Sequence, residues 1–205
     1  MQLKFLYFDL GRVLVNFSVE RMLEQIAATT GLGAEAVRGA MFDKKMLHDL
    51  EAGRLSTRQV YEAFCSVTGV RAEFDRLVVA ATDIFEVNLP VVPIVAQLKQ
   101  AGYRMGVLSN TCDMHWEYCH RQYRIVQDCF DVYALSYKIG AAKPEAAIFQ
   151  AAAEMAGCQP EEMFFVDDIA GHVVGAKAVG VDAVQFTTAE ALAKELRRRG
   201  IRFNY

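Results

Sequence analysis

Five short apolar runs set the frame of this chain: Leu3–Phe8, Tyr103–Leu108, Val132–Leu135, Met163–Val166 and Ala183–Phe186. Each of the last four is separated from the next by one helix-sized segment, the spacing that a parallel strand–helix–strand crossover needs. The pattern predicts an α/β, Rossmann-like domain whose mainly parallel sheet carries helices on both faces.

The first gap is far longer than the others. From Phe17 to Asn88 the chain reads as helices only: Val19, Met22, Leu23, Ile26 and Ala27 recur at helical spacing, and the pattern restarts after Gly31, after Gly53 and after Gly69. Ser56 or Thr57 is the expected N-cap of the helix that runs through Cys65. Asn88-Leu-Pro-Val-Val-Pro marks the return to the sheet, because prolines interrupt a helical pattern. The expected organisation is therefore a catalytic core of residues 1–16 and 89–205, with a small all-helical module, 17–88, inserted after the first strand.

Composition narrows the function classes. With 22 basic against 25 acidic residues and a formal charge of −3, the chain lacks the positive field that non-specific nucleic-acid binding requires. No apolar run approaches the roughly 18 residues of a membrane span. The five cysteines include no CxxC pair, and the first residues carry no signal-like stretch, so the expected setting is the reducing cytoplasm. The expected partner is a small molecule, with neither nucleic acid nor membrane, and the expected state is a monomer or homodimer.

In an open parallel sheet, ligands collect at the carboxyl ends of the strands. The residues that follow the runs are Asp9-Leu-Gly-Arg, then Ser109-Asn-Thr, then a segment holding Lys138 and Lys143-Pro-Glu, then Asp167-Asp168. Acids, a hydroxyl and a lysine thus converge on one edge. Asp9, Asp167 and Asp168 offer hard oxygen ligands suited to Mg²⁺, while Lys143, Ser109 and backbone amides suit phosphate oxygens.

At these residues the chain resembles the haloacid dehalogenase superfamily, and most closely a bacterial subgroup that includes sugar-1-phosphate phosphatases. Four signatures match in order: the apolar run ending at Asp9, the run ending at Ser109, Lys143-Pro144, and the run ending in Asp167-Asp168. The helical insertion matches that family's substrate-covering cap. The resemblance implies a Mg²⁺-dependent phosphatase acting on a small phosphomonoester, such as an anomeric sugar-1-phosphate. Asp9 would attack phosphorus to form an aspartyl-phosphate, with Ser109 and Lys143 completing the catalytic set. Mg²⁺ would be held by Asp9, the Gly11 carbonyl and Asp168, with Asp167 acting directly or through a water. Gly11, Arg12, Asn110 and Thr111 are the expected substrate contacts.

Two departures from the pattern bear on chemistry. Family phosphatases usually place an acid–base Asp two residues after the nucleophile, where this chain has Gly11. The position four residues after the metal-binding Asp is normally Asp or Asn and here is His172. Without an acid at position 11 the leaving oxygen departs with more charge, so turnover is expected to depend steeply on leaving-group pKa. Competing readings are a weakened relative that only binds a phosphorylated ligand or partner, and a 2-haloacid dehalogenase, whose chemistry needs no Mg²⁺.

Other features read as structural. Cys112, His115 and Cys119 share a helical face but match no closed zinc pattern; they are expected as core thiols, with His115 and Trp116 facing the site entrance. Arg197-Arg-Arg-Gly-Ile-Arg202 reads as a helix end with Gly200 near C′. His48, Asp49 and Glu51 either reach the site from the insertion or form a solvated helix face.

Overall fold

A computed structural model describes residues 3–41 and 44–204. In chain order the elements are β1 (Phe5–Phe8), β2 (Val15–Phe17), α1 (Val19–Thr30), α2 (Ala34–Met41), α3 (Lys44–Glu51), α4 (Thr57–Thr68), α5 (Phe74–Thr82), β3 (Phe85–Val87) and α6 (Val92–Gln100). There follow β4 (Met105–Ser109), α7 (Asp113–Gln122), α8 (Arg124–Asp128), β5 (Val132–Leu135), α9 (Ser136–Ile139), α10 (Ala146–Ala156), β6 (Met163–Asp167), α11 (Ala170–Ala178), β7 (Asp182–Gln185) and α12 (Ala189–Arg198).

The five apolar runs form one sheet in the order β5-β4-β1-β6-β7, every pairing parallel. Residues of β1 alternate between two cores, as the two-residue side-chain period requires. Leu6 and Phe8 face one layer, which includes Leu98 of α6, Val126 of α8 and Leu196 of α12. Phe5 and Tyr7 face the other, made by Phe149 of α10 and Ala176 of α11. Each fully buried aromatic or aliphatic side chain contributes roughly 1.5–3 kcal/mol of transfer free energy, so a strand buried on both faces anchors the domain. No helix among the described residues is long and apolar enough to cross a membrane.

Residues between β1 and β4 depart from the expectation of helices alone. β2 and β3 pair antiparallel, Phe17 opposite Phe85, and this ribbon brackets α1 to α5. The expected helix signals otherwise hold: Ser18 caps α1, Ser56 and Gln59 form a capping box on α4, and Gly31 and Gly69 close their helices. Pro93 interrupts nothing. It lies in the first turn of α6, where a missing N–H costs no hydrogen bond. The core of the insertion, including Leu23, Ile26, Phe64 and Leu77, is continuous with the sheet's core through Leu14, Phe85 and Cys119.

Candidate active site

β1 lies at the centre of the sheet between β4 and β6, so the residues leaving these three strands share one edge. Asp9 follows β1 directly, its N–H donating to Val166 O at 2.9 Å. Ser109 ends β4, Asp167 ends β6, and Asp168 follows. Lys143 comes from the loop after α9 and reaches back over β4, where its ammonium donates to Leu108 O at 3.1 Å.

That ammonium is the electrostatic hub. Its side chain is 1% exposed, and Nζ lies 2.8 Å from Asp9 Oδ1 and 2.6 Å from Asp167 Oδ2. Asp9 Oδ1 also accepts from Leu10 N–H, and Asp167 Oδ1 from Ile169 N–H, both at 2.8 Å. His172 Nδ1 sits 3.1 Å from both Asp167 oxygens. Asn110 fixes the lysine's backbone: Lys143 N–H donates to Asn110 Oδ1 at 2.7 Å and the Asn110 amide donates to Lys143 O at 3.0 Å.

Charge states follow from this packing. Burial pushes the Asp9 carboxyl up to about 6, against the pull of Lys143, while the Asp167 charge adds to the rise. Burial works against charge on Lys143 as well, but Asp9 and Asp167 outweigh it and hold the ammonium above its ordinary range. Asp167 is held low despite burial by His172 and Lys143. Asp168 is raised by burial and by the neighbouring Asp167 charge.

Among the described residues, Asp9, Asp167 and Asp168 form a group whose ligand oxygens lie within 4.8 Å of one another. Three carboxylates that close to a single ammonium leave negative charge uncompensated, and an all-oxygen donor set of this kind fits a hard divalent cation such as Mg²⁺. Asp168 and Asp9 line the open cleft, whereas Asp167 is fully buried behind them.

The cleft holds about 270 Å³ and is lined by Asp9, Gly11, Arg12, Ser109, Asn110, Lys143 and Asp168, together with Phe17, Glu51, Ile169 and His172. The structure thus brings together every expected site residue except Thr111 and Asp167 at the cleft wall. Thr111 is buried, its N–H donating to Ser136 Oγ at 3.0 Å, so it braces the loop after β4 instead of facing the cleft. The Asn110 amide is likewise engaged with Lys143, whose backbone it holds in place at the cleft.

Arg12 adopts a left-handed backbone, φ +57°, with its guanidinium carbon 5.0 Å above the centre of the Phe17 ring and Nε 4.0 Å from Asp168 Oδ2. Gly11 has no positive φ. What occupies the space beside it is Phe17: a Cβ on Gly11 would lie 3.1 Å from Phe17 Cε1.

One expectation is corrected and one open alternative resolves residue by residue. His115 and Trp116 do not face the site entrance: His115 is half-buried with Nε2 3.2 Å from Ala81 O, and Trp116 is buried against Tyr133. Of the three insertion residues considered, Asp49 pairs with Arg54 at 2.8 Å and His48 is exposed, while Glu51 lines the cleft. A carboxylate on the last residue of a helix opposes the helix dipole, and that misfit was the signal in the sequence for Glu51. Phe17 carried no such signal.

The haloacid dehalogenase-like hydrolase family profile matches residues 8–180. Among curated proteins the chain is 29% identical over 192 residues to a phosphatase of Mycobacterium tuberculosis, covering 89% of this chain and 87% of that one. It is 24% identical over 190 residues to a D-ribitol-5-phosphate phosphatase of Bacteroides thetaiotaomicron, covering 89% and 91%. A haloacid dehalogenase family enzyme from the same organism, solved with magnesium and inorganic phosphate, superposes with a TM-score of 0.80 at 26% identity, covering 91% of this chain and 95% of that one.

Proposed function

The chain belongs to the haloacid dehalogenase-like hydrolase family, and we propose that it is a Mg²⁺-dependent phosphatase of small phosphomonoesters, sugar or polyol phosphates, working through an aspartyl-phosphate. The observation that carries this reading is the Lys143 ammonium bridging Asp9 and Asp167, with the Asp168 carboxylate beside them.

Asp9 Oδ2 is the attacking oxygen, since Oδ1 is held by Lys143 and the Leu10 N–H. The attack forms an Asp9–phosphorus bond and breaks the ester bond; water then hydrolyses the acyl phosphate and restores the carboxylate. Ser109 and Lys143 offset the repulsion between a carboxylate nucleophile and a phosphate dianion, because phosphoryl transfer is stabilised chiefly by position and charge. Asp9, Asp168 and the Gly11 carbonyl would hold Mg²⁺, with Asp167 directly or through a water, and the ion supplies charge stabilisation to the phosphoryl oxygens. The segment 17–88 serves as the cap, excluding water from the acyl phosphate.

A cleft of about 270 Å³ lies at the small end of ligand sites, which suits a compact phosphomonoester. Anomeric sugar-1-phosphates fit a site with no acid at Gly11, because their leaving group departs readily. The named relative acting on D-ribitol 5-phosphate favours primary alkyl esters as a second substrate class. Likeness to haloacid dehalogenases is one of fold alone, at 20% identity and a TM-score of 0.67.

The test is a panel of phosphomonoesters assayed with Mg²⁺ and with EDTA. Phosphate release that depends on Mg²⁺ and vanishes in Asp9→Asn, with the fold retained by circular dichroism, is the expected result. A phosphate adduct trapped on any residue other than Asp9 overturns it.

A further inference from the structure

Resting on the phosphatase reading, we infer that Glu51 is the acid–base group of the reaction, delivered to the cleft by the helical insertion in place of a side chain at position 11.

Glu51 lines the same cleft as Asp9, Ser109 and Lys143 although it is far from them in sequence. Its position is built. α3 ends at Glu51, the flanking Leu50 and Ala52 are 5% and 3% exposed, and the helix packs on α9. The turn beyond is pinned by hydrogen bonds from Arg54 and Leu55 N–H to Asp49 O and by the Arg54–Asp49 pair. Gly53, at φ +70°, approaches the core so closely that a Cβ there would lie 2.2 Å from Tyr137 O. The insertion therefore touches the core backbone two residues after Glu51.

The other groups around the cleft have partners. Lys143 donates to three oxygens, His172 Nδ1 faces Asp167, and the Asn110 amide clamps the Lys143 backbone. Asp9 and Asp168 belong to the cation group. Glu51 is the carboxyl lining the cleft outside that group. Burial raises its pKa, against the pull of His48 on its own helix, of Lys143 and of His172. Its place at a helix C-terminus acts in the same direction, favouring the neutral acid. A protonated carboxyl is the form that the first step needs.

In that step Asp9 bonds to phosphorus, the ester P–O bond breaks, and the leaving oxygen takes the Glu51 proton. In the second, the Glu51 carboxylate accepts a proton from the water that attacks the acyl phosphate. Phosphate leaves, Asp9 is regenerated, and Glu51 is again protonated. Esters with poor leaving groups, primary alkyl phosphates of sugars and polyols, thereby become substrates in spite of Gly11.

The experiment compares p-nitrophenyl phosphate with D-ribitol 5-phosphate and a graded series of aryl phosphates, in the native protein, Glu51→Gln and Glu51→Asp, with Mg²⁺. The native protein is expected to show a shallow dependence of kcat/KM on leaving-group pKa. Glu51→Gln should lose about 10²-fold or more on the alkyl ester and less than about threefold on p-nitrophenyl phosphate, with Glu51→Asp intermediate. Gly53→Ala, which displaces the turn while keeping the carboxyl, should show the same skewed loss. Equal losses on both esters, no loss, or a skewed loss in His172→Asn alone overturns the assignment of Glu51. If the native protein hydrolyses no phosphomonoester, the phosphatase reading itself fails, and that outcome is distinct from these.

Discussion

Lys143 and Asp167 form an ion pair closed from solvent, 2.6 Å between Nζ and Oδ2, with side chains 1% and 0% exposed. Because the same ammonium holds Asp9, one cation is shared between the proposed nucleophile and the carboxylate behind it. Buried pairs like this are unforgiving of single deletions, since the surviving charge has no solvent to turn to.

Lys143→Met is therefore expected to destabilise the protein by about 3–5 kcal/mol and to lower kcat by at least about 10²-fold. Lys143→Met combined with Asp167→Asn should cost less stability than the two single changes added together, because the second removes a carboxylate that the first orphaned. Urea denaturation of the four proteins measures the coupling. Additive losses would show that the two side chains do not share one electrostatic unit.

Asp168→Ala is expected to weaken Mg²⁺ binding far more than His172→Ala. Asp168 lines the cleft beside Asp9, whereas His172 Nδ1 faces the buried Asp167 and would act by orienting it. A first ligand should cost well over tenfold in affinity and an orienting partner about tenfold. Calorimetric titration with Mg²⁺ separates the two; equal losses, or no binding by the native protein, would contradict the placement.

What was legible in the sequence follows from the periods involved. The strands β1, β4, β5, β6 and β7 coincide with apolar runs to within a residue or two; the match is plainest for β1, β4 and β6, because strands buried on both faces leave no polar interruption. Asp9, Ser109 and Asp167-Asp168 were legible because the strand ends place them. β2 and β3 escaped because three residues are too few to display a two-residue period, and with them went Phe17, whose ring decides what Gly11 can become. Asn110 and Thr111 were placed in the loop that the structure puts after β4, but nothing in their spacing says that one clamps the Lys143 backbone and the other bonds Ser136. A carboxylate at a helix end singles out Glu51, but whether it faces the cleft or solvent depends on a tertiary contact, the approach of Gly53 to Tyr137, that no local pattern encodes.

Cys112 and Cys119 should resist alkylation in the native protein. Burial pushes the Cys112 thiol up to about 12 and raises Cys119 as well. At pH 8 a thiol of that pKa is thiolate to about one part in 10⁴, and the thiolate is the nucleophile. Iodoacetamide followed by peptide mass mapping should modify the partly exposed Cys129 and Cys158 first. Rapid labelling of Cys112, or stoichiometric zinc in the purified protein, would show that the α7 thiols are ligands and not core.

Restoring an acid at position 11 tests how the cleft came to tolerate its loss. The backbone of Gly11 is open to other residues, since its φ is not positive. The obstacle is lateral: a Cβ meets Phe17 Cε1 at 3.1 Å, and the ring cannot swing freely because Phe85 packs against it at 6.0 Å and Arg12 lies over it. Gly11→Asp alone should therefore shift the ring at a cost of about 1–3 kcal/mol in stability and place its carboxyl poorly. Gly11→Asp with Phe17→Ala opens that space. In the Glu51→Gln background the double change should recover alkyl phosphate hydrolysis by up to about 10²-fold while leaving p-nitrophenyl phosphate nearly unchanged, because only the poor leaving group needs a proton. Phe17→Ala by itself, lacking the acid, should recover nothing. The measurement is kcat/KM for both esters across the four combinations at positions 11 and 17. Recovery by Gly11→Asp without Phe17→Ala would show that the ring yields easily, and recovery by Phe17→Ala without the acid would show that the ring obstructs substrate and not a proton donor.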